Sequence, residues 1–273
     1  MKTIFFLILN LFLLTNLNNI IAQQINSKCS CKPFTFPQGK TKAVILSYDD
    51  GLTQDRRFVQ LLNKYGLVGT FNLNSGLFGK SAPWLKQFTG KEGKYITASE
   101  LKDLYKNHEV ASHTLTHPHL TNISNDEIRK EINTDIKLLK TFTKKDVMSF
   151  AYPFGDYNNE VISILKQAGI TNARTVDDSH TFSIPNNFLV WNPTSHHSKA
   201  KQDIDQFLSD NSGKSMLLLI WGHSWEFDQN IENNNWKYIE NLLKRLSNNK
   251  DIWYVGATEF VNYLQLANPP SKN

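Results

Sequence analysis

From Lys42 onward, short apolar runs alternate with helical patterns. The runs are AVILSY (43–48), LVGTFNL (67–73), EVAS (109–112), VMSFAY (147–152), ITNAR (170–174), FLVW (188–191), SMLLLIW (215–221) and DIWYV (251–255). Several are apolar at every position rather than at alternate ones. Strands covered on both faces read this way, as in a parallel sheet packed under helices. Between the runs, QDRRFVQLLNKYG stops at Gly66 and NNEVISILKQAG at Gly169, each glycine serving as a helix stop. Thr97 with Glu100, and Ser124 with Glu127, stand at capping-box spacing at the head of two further helices. NNWKYIENLLKRLSN and TEFVNYLQLA complete the set. Repeated strand-then-helix order predicts an α/β fold with parallel strands, and seven or eight such units predict a single-domain (β/α) barrel over 42–267. The longest irregular stretch is 74–96, long enough inside a compact domain to suggest a functional loop.

The two ends read differently. Lys2 followed by a nearly unbroken apolar stretch from Ile4 to Leu14, with Ala22 at a cleavage-like position, predicts a secretory signal over 1–22. The apolar part is shorter than the ~20 residues a membrane span needs. The alternative is an uncleaved anchor. The expectation is an exported protein, periplasmic, cell-surface or secreted, without stable membrane insertion and monomeric. Residues 23–41 read as a leader and 268–273 as a flexible tail. The 30 Lys and Arg exceed the 25 Asp and Glu, but they are scattered, so neither a nucleic-acid stripe nor a polybasic membrane patch is present. The two cysteines, Cys29 and Cys31, are too close for an easy mutual disulfide and too few for a zinc site.

In a barrel, reactive groups stand just after the strands, at the C-terminal rim. Reading those positions gives Asp49 and Asp50 after the first strand, His113 and His117 after the third, YPFGD after the fourth, WNPTSHH after the sixth and His223 in WGHSWEF after the seventh. In DDG, one carboxylate can bind a cation while the other takes a proton from water, with Gly51 turning the chain; a solvated Asp-Gly turn is the alternative. HTLTH places two imidazoles four apart, facing one way on a helical turn that Pro118 ends; two surface histidines are the alternative. Asp50, His113 and His117 make a three-ligand zinc set with one position open. His119 is read as structural, packed after the turn. His223 is a poised acid or base, or a core histidine. His196 and His197 are read as surface or cleft-lining.

Taken in order, SYDDG, HTLTH, FAYPFG, WNPT and LLLIWGHSWEF resemble the polysaccharide deacetylases, the NodB-homology or carbohydrate esterase family four domains, over about Lys42 to Phe260. The resemblance implies a distorted (β/α) barrel, a divalent metal that is usually zinc, and an acetylated glycan as substrate. It implies Asp49 as base, Asp50, His113 and His117 as metal ligands, His223 as acid and the Phe154 N–H as oxyanion donor. Trp191, Trp225, Tyr152 and Trp84 are the expected sugar contacts. Two departures stand out. FAYPFG lacks the arginine that usually steadies the base, and no aspartate near Trp191 orients the acid; Arg174, Asp177 and Asp178 on the next rim loop are candidates to replace them. The expected function is metal-dependent removal of acetyl groups from nitrogen or oxygen of a polysaccharide or oligosaccharide. A small amide or imide hydrolase on the same metal set and a non-catalytic carbohydrate-binding protein are the alternatives.

Overall fold

The computed structural model describes residues 34–267. The expected signal over 1–22, both cysteines and the tail from 268 lie outside the described residues. Among the described residues no helix is long and apolar enough to cross a membrane.

The strands are β1 (Lys42–Asp50), β2 (Gly69–Leu73), β3 (Ser81–Ala82), β4 (Gly93–Lys94), β5 (Glu109–Ser112), β6 (Ser149–Ala151), β7 (Asn172–Arg174), β8 (Ser195–His196), β9 (Met216–His223) and β10 (Ile252–Tyr254). Eight of them form one sheet in the order β7-β6-β5-β2-β1-β9-β8, with β10 also on β1. Every pairing in that sheet is parallel. On one edge β1 is paired along its length by β9; the other edge is shared, β10 taking Lys42–Val44 and β2 taking Leu46–Asp50. The sheet curls into a half-barrel, and beyond its end strand β7 the isolated parallel bridge Arg174 to Trp191 joins the 188–191 segment.

FLVW, expected as the sixth strand, contributes that bridge and a hydrogen bond from Ala173 N–H to Phe188 O (2.8 Å), but no regular strand. Val190 N–H turns back to Asn187 O (3.2 Å) and Asn187 Oδ1 accepts from Leu189 N–H (3.0 Å), so a turn occupies the place of a strand. β8, four residues on, takes the position beside β9 instead.

The pleat sorts β1 into two faces. Val44, Leu46 and Tyr48 join Phe71, Leu73, Leu218 and Ile220 in the outer core, against Phe58, Val59 and Leu62 of the helix Asp55–Lys64. That 3-4 spacing is why the segment is helical, and each such fully buried apolar side chain contributes about 1.5–3 kcal/mol. Ser47 and Asp49 face inward with Thr70, Asn72 and Arg174, all buried and polar. A buried polar lining is stable only when paired, and here it is: Asn72 Nδ2 donates to Ser47 Oγ (2.8 Å), and Arg174 Nε does likewise (3.1 Å). At the opposite end, Glu109 accepts from Thr70 Oγ1 (2.7 Å) and from Thr258 N–H (3.1 Å), placing a carboxylate at the N-terminus of the helix Ala257–Ala267. Residues 74–96 form a wall over the rim that includes the antiparallel pair β3–β4.

Candidate active site

Register builds the site. Asp49 pairs with Asn72 on one side and with His223 on the other, so three strands deliver polar side chains to one level of the rim. Asp50 then leaves the strand in the left-handed region (φ 79°), and Gly51 follows at φ 74°. A Cβ on Gly51 would lie 2.8 Å from Leu73 Cδ2, so only glycine fits this turn. A non-glycine residue at positive φ next to it is strain of the kind that gathers at functional sites.

Asp50 Oδ1 lies 3.9 Å from His113 Nε2 and 3.8 Å from His117 Nε2. The loop carrying the two histidines differs from the expected helical turn: Thr114 (φ 69°) and His117 (φ 62°) are both left-handed. Thr114 Oγ1 accepts from His117 N–H (3.0 Å), and Asn74 Nδ2 donates to the carbonyls of His113 (2.5 Å) and Thr114 (3.0 Å). This folding, rather than helical periodicity, brings the two imidazoles to 4.7 Å between ring centres. His113 Nδ1 faces Ala151 O at 2.8 Å; a carbonyl only accepts, so the proton sits on Nδ1 and the Nε2 lone pair faces Asp50. Burial pushes His113 down to about 4 and lowers His117 too, keeping both neutral. Two imidazole lone pairs and a carboxylate oxygen converging without a mutual hydrogen bond are the donor set of a divalent cation with an open position. Trp225 Nε1–H donates to the other carboxylate oxygen, Asp50 Oδ2, at 2.9 Å and orients it.

Asp49 is held by Arg174, whose Nη2 contacts both carboxylate oxygens, and by Asn72 Nδ2 at 2.7 Å. Burial raises this carboxyl, but the charge of Arg174 foremost, with His113 and His223, brings it below its ordinary range. Arg174 is itself stacked on Trp221, 4.8 Å from the ring centre. His223 presents Nε2 4.0 Å from Asp50 Oδ2, and its Nδ1 faces Glu226 Oε1 at 3.2 Å. Burial lowers His223, yet the Glu226 carboxylate outweighs it and lifts the imidazole to about 9. Glu226 moves the opposite way: burial raises it, and the charge of His223 foremost brings it far down. The arrangement therefore offers an ionised carboxylate and a protonated imidazole, paired across β1 and β9 beside the three-ligand group, two titrating groups driven apart by their surroundings.

A cleft of about 750 Å³ opens here, lined by Asp49, Asp50, His113, His117 and His223 together with Trp84, Tyr152 and Trp225. Trp84 stands edge-on to Trp225 at 5.3 Å. Tyr152 lies in the cleft wall but is 1% exposed, with its hydroxyl donating to Leu189 O at 2.8 Å, so it supports the lining rather than presenting a free face. Trp191 is not brought to the cleft. It is 2% exposed and stacks on Phe260 on the far side of the sheet end, because the 187–190 turn directs it there. Phe88 (47% exposed) and Phe154 (51% exposed) are the cleft aromatics that the sequence motifs did not suggest. Phe154 lies in a short turn at φ 57°, where Gly155 and Asp156 N–H close back on Tyr152 O and Pro153 O. His119 is half-exposed, stacked on the Phe154 ring at 3.7 Å, and contacts Asp156. His197 is fully buried rather than at the surface, with Nε2 2.7 Å from Asn234 Oδ1, and His196 Nε2 lies 2.9 Å from Glu226. Asp178 does not reach His223: it accepts from His196 N–H (2.8 Å) and Trp221 Nε1–H (3.0 Å).

Glu226, Asn72 and Trp221 were not singled out from the sequence. For Glu226 the signal was present: it stands three residues after His223 on the turn Ser224–Gln229, the spacing that places two side chains together.

This geometry has relatives. The family model for polysaccharide deacetylases matches residues 37–173. Chitin deacetylase 1 of Cryptococcus neoformans var. grubii is 29% identical over 126 residues, 46% of this chain and 24% of the relative. Peptidoglycan-N-acetylglucosamine deacetylase of Bacillus cereus is 25% identical over 130 residues, 47% of this chain and 54% of the relative. The chain thus spans between about a quarter and a half of the length of these curated relatives. Among solved structures, a putative polysaccharide deacetylase from Mycobacterium smegmatis shares the fold with a TM-score of 0.60 at 14% identity, covering 86% of this chain and 94% of that one. The Xyl-CE4 domain of a xylanase from the Trinervitermes trinervoides hindgut metagenome gives 0.51 at 20% identity, covering 81% and 90%. With its matched span running from the residues just before β1 through the histidine loop to β7, the chain belongs to the polysaccharide deacetylase family.

Proposed function

We propose that this protein is a metal-dependent hydrolase that removes acetyl groups from a polysaccharide or oligosaccharide outside the cytoplasm. The observation that carries the reading is that Asp49 and His223, paired across β1 and β9, line one cleft together with the Asp50, His113 and His117 group. Two nitrogens and one oxygen suit zinc. A cation held by those three residues would polarise the acetyl carbonyl and acidify water.

The chain's own residues do the rest. Asp49, ionised and fixed by Arg174 and Asn72, accepts the proton as water attacks. The Phe154 N–H donates to the developing oxyanion, a contribution of about 3–4 kcal/mol where such a donor is aimed well. His223, protonated through its pairing with Glu226, gives its proton to the departing nitrogen or oxygen. Phe88, Phe154 and Trp84 offer apolar faces on which sugar rings can lie. Export rests on the apolar N-terminal segment of the sequence.

The test is acetate release from N-acetylated chitin oligomers, peptidoglycan and acetylxylan, by protein loaded with metal and by protein stripped of it. Release that depends on metal supports the reading and its substrate class. Metal-loaded, folded protein that frees acetate from none of the three refutes it.

A further inference from the structure

Behind His223 lies a second convergence of ligand atoms. His196 Nε2 is 2.9 Å from Glu226 Oε2, His223 Nδ1 is 3.2 Å from Glu226 Oε1, and the ligand atoms of the three residues all lie within 4.8 Å of one another. Ligands around tetrahedral zinc, at bond lengths of 2.0–2.2 Å, are about 3.3 Å apart. The second group is therefore gathered at least as closely as the first, where the carboxylate stands 3.8 and 3.9 Å from its histidines.

The surroundings are arranged for the imidazoles. His196 Nδ1 accepts from Ser198 N–H (3.3 Å) and lies 2.8 Å from Ser198 Oγ, which fixes the ring with Nε2 toward Glu226, where a cation would take the place of the Nε2 proton. His197 Nε2 also lies 3.2 Å from Glu226 Oε2, but its proton is committed to Asn234 Oδ1 at 2.7 Å, so it flanks the group without offering it a lone pair. Gly222 makes room: a Cβ there would stand 1.9 Å from His197 Nδ1 and 3.1 Å from His196 Nε2. The side chains of His196, Glu226 and His223 are 14%, 13% and 20% exposed, which leaves a path for an ion through the cleft that His223 lines.

We propose that His196, His223 and Glu226 form a second divalent-cation site, and that filling it inhibits deacetylation; the inhibitory part rests on the role given to His223 above. A cation held on His223 Nδ1 would occupy the nitrogen that faces Glu226 and take up that carboxylate, so the ring would lose the partner that orients and supports it as a donor. One imidazole then links both sites, Nε2 toward Asp50 and Nδ1 toward Glu226. Activity should rise as the first equivalent of zinc binds and fall as the second does.

The experiment is a calorimetric titration of the stripped full-length protein with Zn²⁺, with Cys29 and Cys31 replaced by Ser in every sample so that thiols do not enter the count. Acetate release is followed at the same metal ratios. Two equivalents are expected, and the rate at excess zinc should fall about tenfold or more from its maximum, as loss of general acid catalysis predicts. His196→Gln and, separately, Glu226→Gln should each bind a single equivalent. Each should also lose the fall at excess zinc, measured against its own maximum. His113→Gln should retain the weaker event. A single equivalent in the parent protein, or two that survive in both His196→Gln and Glu226→Gln, overturns the site. Two equivalents with no acetate from any substrate would uphold the site while refuting the deacetylase reading. One equivalent with full activity would do the reverse.

Discussion

Arg174→Gln isolates the most buried ion pair in the molecule's interior. Arg174 and Asp49 side chains are each 3% exposed, and Nη2 contacts both carboxylate oxygens. Breaking such a pair by removing one partner costs about 3–5 kcal/mol, because the other charge stays buried without its counterion. Asn72 still donates to Asp49 Oδ1, but a neutral amide does not replace a guanidinium. Replacing both partners is milder, since neutral residues of similar shape leave no lone charge, so Asp49→Asn/Arg174→Gln should recover about 2 kcal/mol or more of the loss. The pH dependence has a defined sign. Burial raises the Asp49 carboxyl and Arg174 more than offsets it, leaving the folded value below the ordinary one. The pair's contribution is therefore present above the unfolded value of about 3.9 and fades as pH falls further. In Arg174→Gln burial loses its main opponent and the carboxyl rises, so the gap between variant and parent should be widest near neutrality and narrow toward pH 4. Urea unfolding of the metal-free proteins at several pH values measures this, with acetate release as the second readout. At pH 7 the variant should also lose about a hundredfold or more in rate, as the proposed base loses the cation that holds it ionised and in place. An Arg174→Gln stability within about 1 kcal/mol of the parent, or a double variant no more stable than the single one, would refute the reasoning.

Three further outcomes follow from single contacts. Trp225→Phe removes the indole N–H that holds Asp50 Oδ2 at 2.9 Å and should weaken zinc binding about 10- to 100-fold, as loss of a ligand's orienting partner does, read by competition with a chelating dye. Trp191→Phe should lower stability by about 1–2 kcal/mol through lost packing on Phe260 while leaving KM within about twofold; a large rise in KM would return Trp191 to the cleft. Asp55 is fully buried, accepts from Tyr105 (2.6 Å) and Ser224 (2.5 Å), and is pushed up to about 7 by burial. The folded state then binds the proton more tightly than the unfolded chain, so Asp55 makes stability fall as pH rises from about 4 to 7; Asp55→Asn should flatten that slope in urea unfolding across the interval, and an unchanged slope would sink the assignment.

The patterns that proved legible are those whose information is local. β1 and β9 read correctly as buried parallel strands because both faces are covered, and apolar residues stand at nearly every outer or inner position. Reading the residue after each strand then located Asp49, Asp50, His113 and His223, since the chain turns at once into the rim there. What stayed hidden depends on register or on loop conformation. Trp191 sits in a run that looks like a strand, but Asn187 caps a turn within it, and the ring goes to Phe260 instead of the cleft. The helical turn expected for His113 and His117 is replaced by left-handed Thr114 and His117, stabilised by Asn74 from another loop. No spacing rule within HTLTH contains Asn74.

The two departures from the family pattern show the same logic from the chemical side. An ionised base buried at 3% exposure needs a cation, and an imidazole meant to carry a proton in an apolar wall needs a carboxylate. Those requirements belong to the site, so they bind the fold more tightly than they bind any one position. Arg174 meets the first from the end of β7, where Ala151 pairs with it across β6. Glu226 meets the second from the turn after β9, three residues beyond the histidine it charges. The price of the second solution is that Glu226 lies within reach of His196 as well. A lone orienting acid holds one proton, but a carboxylate between two imidazoles is also a place for a cation. On the function proposed above, the group that readies His223 as the acid is also the one that opens it to inhibition by metal.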